Sequence, residues 1–470
     1  MQPNVKLYID GKPAAARGMF EVVNPATAEP FAQCPSADLQ MLDTAVAAAR
    51  KAFPAWAAKD IEDRATLVEQ IGDALEARKE EFTKLLSSEQ GKPVHSGAVG
   101  EIMGALAWLR ATAKLRPAVD VIKDDDVSYV EVRRKPLGVV ASITPWNHPV
   151  MIAIWHVIPA LIAGNTVVIK PSSMTPLTTL LLAELANEIL PAGVVNSVAG
   201  EGGLGQAISS HPGIDKIVFT GSTPTGRHIM ESAAANLKRL TLELGGNDAA
   251  IVLADADVDA IAPKIFAKTF GNSGQTCAAL KRLYVHDSIH DALADRLAQM
   301  AKDAKMGPGD NPESQYGPIQ NKSQFDFVVE LADDARSQGA QFLAGGKADD
   351  GAGYFYPLTV VTQVTDGMRL VDEEQFGPIL PIIRYHDVED VLARANDNPN
   401  GLGGSIWSSD IDTATALAAR METGTAWVND HATISPDAPF GGAKQSGIGV
   451  EFGHYGLEEY MQLQTIRIAK

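Results

Sequence analysis

The apolar residues between positions 61 and 86 recur with the period of an α-helix. Seven of them fall on one stripe: Ile61, Ala65, Val68, Ile71, Leu75, Phe82 and Leu86. A stripe of this spacing is typical of a surface helix that covers a core, so the pattern predicts one helix over 61–86. A more continuous apolar segment, 149–164, contains His156 and Pro159 and is shorter than the ~20 residues that a bilayer requires. This segment predicts a buried helix.

From about residue 137 onwards, short β-branched runs alternate with helical segments. The first runs are LGVVASI, TVVIK, VVNSV, KIVF and AAIVL, and a second set comprises KRLYVHD, TVVTQV, LPIIRY and SIWSS. Helical patterns near 288–302, 323–338 and 410–421 interrupt the second set. Alternating strands and helices indicate parallel strands joined by crossover helices, which is the doubly wound architecture. The sequence therefore predicts two α/β domains.

The segment VDVIKDDDVSYVEVRRK, residues 119–135, precedes these runs and has a different pattern. Its apolar residues alternate on both sides of the acidic stretch 124–126, which predicts a charged hairpin standing apart from either core. The tail YMQLQTIRIAK alternates in the same way, and we expect it to pair with the hairpin. Our hypothesis is that the hairpin is an arm for assembly.

Composition narrows the classes of function. The 470 residues are 45% hydrophobic and 21% charged, as in ordinary globular domains. The net charge of −18 disfavours nucleic-acid and membrane partners, because phosphate backbones and anionic lipids are repelled. Only Cys34 and Cys277 occur, which favours a reducing compartment, and residues 1–10 have no apolar run typical of a signal peptide. We therefore expect a cytoplasmic protein.

Cys277 is the candidate nucleophile. The segment FGNSGQTC places it after a glycine-containing turn, where a helix terminus with free N–H groups would lower the pKa of a thiol. The alternative is a buried structural cysteine, which is the commoner role for an arbitrary cysteine.

Two more candidates follow predicted strands. Glu243 ends a β-run in LTLELGGND and is a candidate general base, whereas a solvated loop glutamate is the alternative. Asn147 follows LGVVASI, where its amide could donate to a developing oxyanion. A turn-forming asparagine before His-Pro is the alternative for Asn147.

A phosphate site is predicted at FTGSTPTG, residues 219–226. This segment follows KIVF and opens a helix, so small residues let backbone N–H groups and the helix N-terminus face a phosphate. Lys170, which ends TVVIK, is a candidate for binding ribose or phosphate, with a surface lysine as the alternative.

Together these segments identify a resemblance that extends over essentially the whole chain. The motifs PWN (145–147), KPS (170–172), FTGSTPTG (219–226), LELGG (242–246), GQTC (274–277), EEQFGP (373–378) and PFGGAKQSG (439–447) resemble, in order and approximate spacing, those of the aldehyde dehydrogenase superfamily. Chance agreement of the whole set is negligible. The resemblance therefore favours the catalytic interpretation of Cys277, Glu243 and Asn147.

The resemblance implies a subunit with three parts. It has an α/β fold with a Rossmann-like NAD(P)-binding domain (1–116 and 137–244), an α/β catalytic domain (245–447), and a β-hairpin oligomerisation arm with the tail (117–136 and 456–470). It further implies a homodimer or homotetramer, and no metal ligands.

The resemblance also implies the chemistry. The Cys277 thiolate attacks an aldehyde, Asn147 and the Cys277 N–H stabilise the oxyanion, the nicotinamide accepts a hydride, and Glu243 activates the water that hydrolyses the thioester. The implied NAD or NADP site consists of Trp146, Lys170, Ser172, Ser173, Gly221, Ser222, Glu374 and Phe376. The implied aldehyde-binding residues are His148, Met151, Trp155, Thr276 and His431, for which core packing is the alternative. In similar enzymes the helix after Asn147 and the loop 429–439 line the aldehyde tunnel, and here they supply mostly apolar residues, which favours a medium aliphatic or aromatic aldehyde: His148, Met151, Ile152, Trp155, His431, Ile434 and Pro436.

The sequence departs from common patterns of the family in three places. Ser173 stands where many NAD-preferring members have glutamate, which leaves the choice between NAD and NADP open. Val450 replaces an arginine before Glu451, and Glu451 is a candidate second water-activating carboxylate. ELGGND replaces the frequent ELGGK, so a basic residue is lost at Asn247.

Three other functions compete with aldehyde oxidation by water. A thiol hydrolase would use Cys277 and Glu243 without a cofactor, but the cofactor motifs are present. A CoA-acylating dehydrogenase would not need Glu243, and a non-catalytic protein on the same fold would be expected to lose Cys277. The natural aldehyde, the dimer-versus-tetramer choice and the pathway are not determined by the sequence.

Overall fold

The computed structural model describes residues 4–349 and 351–470. The strands in this part are β1 (Leu7–Ile9), β2 (Lys12–Ala14), β3 (Gly18–Asn24), β4 (Glu29–Ser36), β5 (Asp120–Asp124), β6 (Ser128–Pro136), β7 (Val139–Ile143), β8 (Thr166–Lys170), β9 (Val195–Ser197), β10 (Lys216–Thr220), β11 (Arg239–Glu243), β12 (Asp248–Val252), β13 (Leu280–His286), β14 (Gln341–Ala344), β15 (Thr359–Thr362), β16 (Ile379–Tyr385), β17 (Asn400–Gly401), β18 (Gly403–Trp407), β19 (Thr425–Val428), β20 (Ala443–Lys444), β21 (Gly447–Ile448) and β22 (Met461–Ala469). The α-helices are α1 (Leu39–Ala58), α2 (Ile61–Ala77), α3 (Lys79–Gln90), α4 (Val99–Ala113), α5 (Pro149–Ala163), α6 (Leu177–Ile189), α7 (Gly203–Ser210), α8 (Thr223–Ala233), α9 (Val258–Phe270), α10 (Asp287–Asp303), α11 (Lys322–Ser337), α12 (Arg369–Asp372), α13 (Val388–Asn396), α14 (Ile411–Ala418) and α15 (Gly453–Glu458).

The first large sheet is doubly wound, as predicted. Its strand order is β21-β11-β10-β7-β8-β9, and β7 to β11 pair in parallel. The chain moves outwards from β7 to β9 and then returns on the other side to β10 and β11, so the order reverses between β7 and β10. Ligands of such sheets bind outside the carboxyl ends of the strands at this reversal.

The second large sheet has the order β14-β15-β16-β13-β12-β18-β19 and is parallel except for β14. The second α/β region is thus confirmed. After β19 the chain returns to the first sheet, where β21 pairs antiparallel with β11. Leu244 N donates to Ser446 O over 2.8 Å, which ties the segment after β11 to the returning chain.

The hairpin and the tail form a third sheet of order β22-β6-β5. The tail pairs antiparallel with the hairpin from Met461 opposite Pro136 to Ala469 opposite Ser128. The predicted pairing of tail and hairpin is therefore confirmed.

The apolar segment 149–164 forms α5, which is almost completely buried between the first sheet and other helices. Proline at its first position and Gly164, with φ of 95° just beyond its end, account for its bounds. The buried helix is confirmed. No helix in the described residues is both long and apolar enough to cross a membrane.

The single helix predicted over 61–86 is wrong. The chain breaks between α2 and α3 at Arg78, whose ψ of 15° leaves the helical range. The Arg78 side chain contacts Glu81 in the next turn and Glu184 of α6. The break lets Phe82 and Leu86 of α3 join the same core as α6, a tertiary contact that the local periodicity does not reveal.

Candidate active site

A cleft of about 820 Å³ lies at the reversal point of the first sheet and is bounded on its other side by loops and helix α11 of the second α/β region. Its volume is in the range of small-molecule and cofactor sites. The structure brings ten of the candidate residues to its wall: Trp146, Asn147, Lys170, Ser172, Ser173, Gly221, Ser222, Cys277, Glu374 and Phe376. They come from loops after β7, β8 and β10 and from two loops of the second α/β region.

The phosphate segment has the predicted geometry. Gly221 and Ser222 follow β10, and Ser222 caps α8 by accepting a hydrogen bond from Thr225 N. Gly221 N donates to Glu243 O over 3.0 Å, and a Cβ on Gly221 would lie 2.4 Å from the Phe219 ring. Because the first N–H groups of α8 and a bare backbone face the cleft, these residues fit a dinucleotide pyrophosphate.

Phe376 and Trp146 form the cleft wall nearer Cys277. Their ring centroids are 5.2 Å apart in an edge-to-face arrangement. Phe376 has a left-handed φ of 45°, and Gln324, a cleft residue that the sequence analysis missed, donates to Gln375 O next to it. Glu374 accepts a hydrogen bond from Gly246 N over 3.1 Å, so its carboxylate lies against the turn after β11.

Cys277 lies in a tight turn that leads directly into β13, and no helix begins there. The expectation that a helix N-terminus lowers its pKa is therefore wrong. Burial raises the pKa of the thiol to about 12, with nearby carboxylates acting in the same direction, while Lys281 acts in the opposite direction. Among the groups that influence the pKa of this thiol, Lys281 is the one that favours the ionised form.

Asn147 is buried and aimed at this turn. Its Nδ2 donates to Gln275 O over 3.1 Å. Its own carbonyl oxygen accepts from Lys92 Nζ at 2.7 Å and from Asn272 Nδ2 at 3.2 Å. Asn272 has a left-handed φ of 52°. The strained turn and the asparagine therefore hold each other in place.

Lys92 belongs to a buried charged cluster that the sequence analysis did not find. Its Nζ contacts Glu101 Oε2 and lies 2.9 Å from His148 Nδ1, and Glu101 Oε1 accepts from Val150 N at the start of α5. Burial alone would raise the pKa of Glu101, but Lys92 and His148 hold it at about 2. No local pattern pairs these residues, because the helical turn 94–98 separates them in the chain.

Glu243 ends β11 as predicted, but its side chain does not line the cleft. It is 4% exposed, and both carboxylate oxygens lack a hydrogen-bond partner among the described residues. Burial, and then the nearby Glu451, raise its pKa well above the usual range. A carboxyl group with a raised pKa is protonated more readily than one in water. In its ionised form Glu243 raises the pKa of the Cys277 thiol.

An aromatic cluster packs against Cys277. Trp155 of the predicted aldehyde-binding set joins it, with its ring 4.8 Å from Phe452 and 5.7 Å from Trp108. Phe440 stacks on Phe452 at 6.1 Å. Trp108 was missed because it lies on α4, far from any motif, and Phe452 was missed because the sequence patterns single out Glu451, the residue directly before it.

The other candidate aldehyde-binding residues lie in different surroundings. His148 Nε2 is 3.4 Å from Thr276 Oγ1, next to Cys277, and Met151 faces Gly104 of α4. His431 is fully buried, its Nδ1 lies 2.8 Å from Ser405 Oγ, and its pKa is lowered to about 3 by burial. This placement favours a core histidine over contact with an aldehyde.

Comparison with known proteins agrees with this geometry. The model of the aldehyde dehydrogenase family matches residues 12–466. Aldehyde dehydrogenase LUC3 of Fusarium sp is 39% identical over 464 residues, with 98% of each chain covered. Among solved structures, the NAD⁺ complex of aldehyde dehydrogenase from Bacillus cereus has a TM-score of 0.95 at 37% identity, covering 99% of this chain and 96% of that one. An NADP-dependent enzyme of E. coli has a TM-score of 0.97 at 35% identity, covering 100% and 98%.

The fold and cleft define a nicotinamide-dependent oxidoreductase. The chain belongs to the aldehyde dehydrogenase family, and it oxidises an aldehyde with NAD(P) as cofactor.

Proposed function

We propose that Cys277 is the nucleophile that attacks the aldehyde carbonyl in this cleft. The observation that carries the proposal is the convergence of Cys277 and Asn147 on the cleft that also contains the dinucleotide-binding residues. Addition of the thiolate to the carbonyl gives a tetrahedral oxyanion. The Asn147 amide and the Cys277 backbone N–H are the donors that stabilise it.

Glu374 and Phe376 on the cleft wall would hold the nicotinamide end of NAD(P)⁺, which would supply the hydride acceptor needed to convert this adduct into a thioester on Cys277. Glu243 then takes a proton from water, the resulting hydroxide attacks the thioester, and the C–S bond breaks to release the carboxylic acid and the thiolate. Because burial and Glu451 raise the pKa of Glu243, the rate of this hydrolysis should rise with pH above the ordinary carboxyl range.

The substrate that fits best is an apolar aldehyde. The aromatic cluster of Trp108, Trp155, Phe440 and Phe452 packs on the side of Cys277 and favours an aliphatic or aromatic chain through apolar burial. His148 and Thr276 would contact the aldehyde near its carbonyl. The third sheet supports a homo-oligomer, since it presents Ile122, Leu463 and other exposed apolar side chains.

A rapid-mixing experiment with two variants tests the mechanism. Cys277→Ser should form no NAD(P)H, because a serine hydroxyl is far less ionised than a thiol. Glu243→Gln should give a burst of up to one NAD(P)H per active site followed by slow turnover, because the amide cannot accept a proton from water. Stopped-flow NAD(P)H absorbance with a panel of aldehydes, with and without CoA, measures both.

Cys34→Ala is the matched control and should retain the wild-type time course, because Cys34 lies in a different core. Near wild-type turnover in Cys277→Ser would exclude a covalent intermediate on that residue. Loss of the first turnover in Glu243→Gln would assign that residue to thiol activation. Stimulation by CoA would identify an acylating enzyme.

A further inference from the structure

Lys281 is a buried cation between the two halves of the site. It lies on β13, and its side chain is only 3% exposed. Its Nζ donates to the Cys277 carbonyl oxygen and lies 2.9 Å from Glu374 Oε1. The same ammonium lies 5.7 Å from the centroid of the Phe376 ring, within cation–π range. One side chain therefore joins the turn of the nucleophile to the loop that carries Glu374 and Phe376.

The charges around Cys277 explain why a cation is needed there. The carboxyl groups of Glu243, Glu374 and Asp248 each raise the pKa of the Cys277 thiol, because a negative charge nearby disfavours a second one on the sulfur. Asp248 is itself buried, and His431 Nε2 lies 3.7 Å from its carboxylate with a pKa far below neutrality. His431 is thus uncharged at neutral pH and does not balance these carboxylates, whereas Lys281 opposes their effect on the thiol.

The position of Lys281 follows from the sheet. β12 and β13 pair in parallel with Asp248 opposite Leu280 and Ala249 opposite Arg282, so Lys281 is the extra residue at a bulge at the start of β13. The turn after β11, Gly245–Asp248, carries no cation of its own. Arg282, the next residue, donates instead to the Asn247 and Ala395 carbonyl oxygens. The positive charge next to the Cys277 carbonyl and Glu374 is therefore supplied by Lys281 from the neighbouring strand.

We propose that Lys281 is a positioning residue for both half-reactions: it holds the Glu374 carboxylate for the cofactor and favours the thiolate of Cys277 electrostatically. This inference rests on the proposed roles of Cys277 and Glu374. Lys281 would therefore couple the binding of the cofactor to the ionisation of the Cys277 thiol. An ammonium hydrogen-bonded to the carbonyl of Cys277 is fixed in place, so it acts without a change of conformation.

The pH dependence of Cys277 alkylation tests the proposal without turnover. Iodoacetamide reacts with the cofactor-free oligomer over a pH series, and peptide mass spectrometry separates Cys277 from Cys34. Lys281→Met should slow the alkylation of Cys277 about tenfold or more at each pH of the series, because loss of the cation raises the pKa of the thiol and lowers the thiolate fraction below the midpoint. Lys281→Arg should restore most of the rate, and Lys264→Met, an exposed lysine on α9, should leave it unchanged.

The Glu374→Gln substitution should change the alkylation of Cys277 in the opposite direction to Lys281→Met. Removing this carboxylate should lower the midpoint, since it removes a negative charge near the thiol. Calorimetric titration of NAD⁺ without aldehyde should show a severalfold weaker affinity in Lys281→Met and recovery in Lys281→Arg. If Lys281→Met does not fold, the direction of the shift in Glu374→Gln still tests whether the charges around Cys277 control the ionisation of its thiol.

The proposal would be overturned if the Lys281→Met and wild-type alkylation profiles were identical and the circular dichroism spectrum of the variant were unchanged. An upward shift in Glu374→Gln would do the same. Alkylation reports the thiol whether or not Cys277 is the nucleophile in turnover. An active Cys277→Ser enzyme would therefore refute the proposed mechanism and leave the alkylation result standing.

Discussion

Ser173 lies beside Lys170 on the cleft wall, just beyond the carboxyl end of β8. The Lys170 side chain is largely buried, its Nζ donates to Pro171 O over 3.0 Å, and burial lowers its pKa. A neutral residue next to a lysine places no negative charge where the 2′-phosphate of NADP⁺ would approach. We therefore expect the enzyme to use both NAD⁺ and NADP⁺.

Ser173→Glu should weaken the use of NADP⁺ much more than that of NAD⁺. At ~5 Å and an effective dielectric constant of ~20, one pair of unit charges costs roughly 3 kcal/mol, or about two orders of magnitude in affinity. The ratio of kcat/KM for the two cofactors measures the effect, with the uncharged Ser173→Gln as the control for size. A wild-type enzyme that cannot use millimolar NADP⁺ would show that another residue excludes the phosphate.

At the scale of the element, the turn before Cys277 is fixed by its contact with the loop 373–378. Gly274 has φ of 75°, and a Cβ there would lie 2.1 Å from the carbonyl oxygen of Gly377. Only a residue without a side chain permits both the left-handed backbone and this close approach. The contact joins the turn that carries Cys277 to the loop that carries Glu374.

Gly274→Ala should therefore displace both loops. We expect a decrease of several degrees in Tm and a loss of aldehyde oxidation, because left-handed strain and overlap with backbone together cost a few kcal/mol. Thermal unfolding and kcat/KM are the measurements. Gly271→Ala is the matched control, since its φ of −51° is ordinary and a Cβ there meets nothing within 4 Å. Equal effects of the two substitutions would contradict this account.

At the scale of the whole molecule, the third sheet is notable for how few of its side chains are buried: most residues of β5, β6 and β22 are at least partly exposed. It projects exposed apolar side chains, among which Ile122 is 66% and Leu463 is 57% exposed. Burial of such residues between subunits is the ordinary way in which an extended sheet gains stability. We therefore expect the protein to form a homo-oligomer through this sheet.

The double substitution Ile122→Asp and Leu463→Asp should lower the molecular mass in solution to that of a smaller assembly. Buried carboxylates at an apolar interface are strongly disfavoured. Light scattering coupled to size-exclusion chromatography measures the mass. Leu39→Asp, which replaces an exposed leucine on α1, is the control and should leave the mass unchanged. An intact oligomer in the double variant would place the interface elsewhere.

The sequence alone determined the two α/β regions, the buried helix α5 and the positions of Asn147, Gly221 and Glu243 after or at strand ends. These features follow from local patterns: strands buried on both faces require continuous β-branched runs, and parallel strands bring their carboxyl ends to one edge. The pairing of the tail with the hairpin could also be predicted, because both segments alternate with period two.

Only the tertiary structure decided the charges and the shape of the site. Lys281 reaches Glu374, and Lys92 reaches the carbonyl of Asn147, across segments that no local period relates. The break at Arg78 and the burial of His431 likewise depend on what packs against them. The pKa of Cys277 could not be predicted either, because it reflects the balance of burial, three carboxylates and one lysine that the fold gathers from different strands and loops.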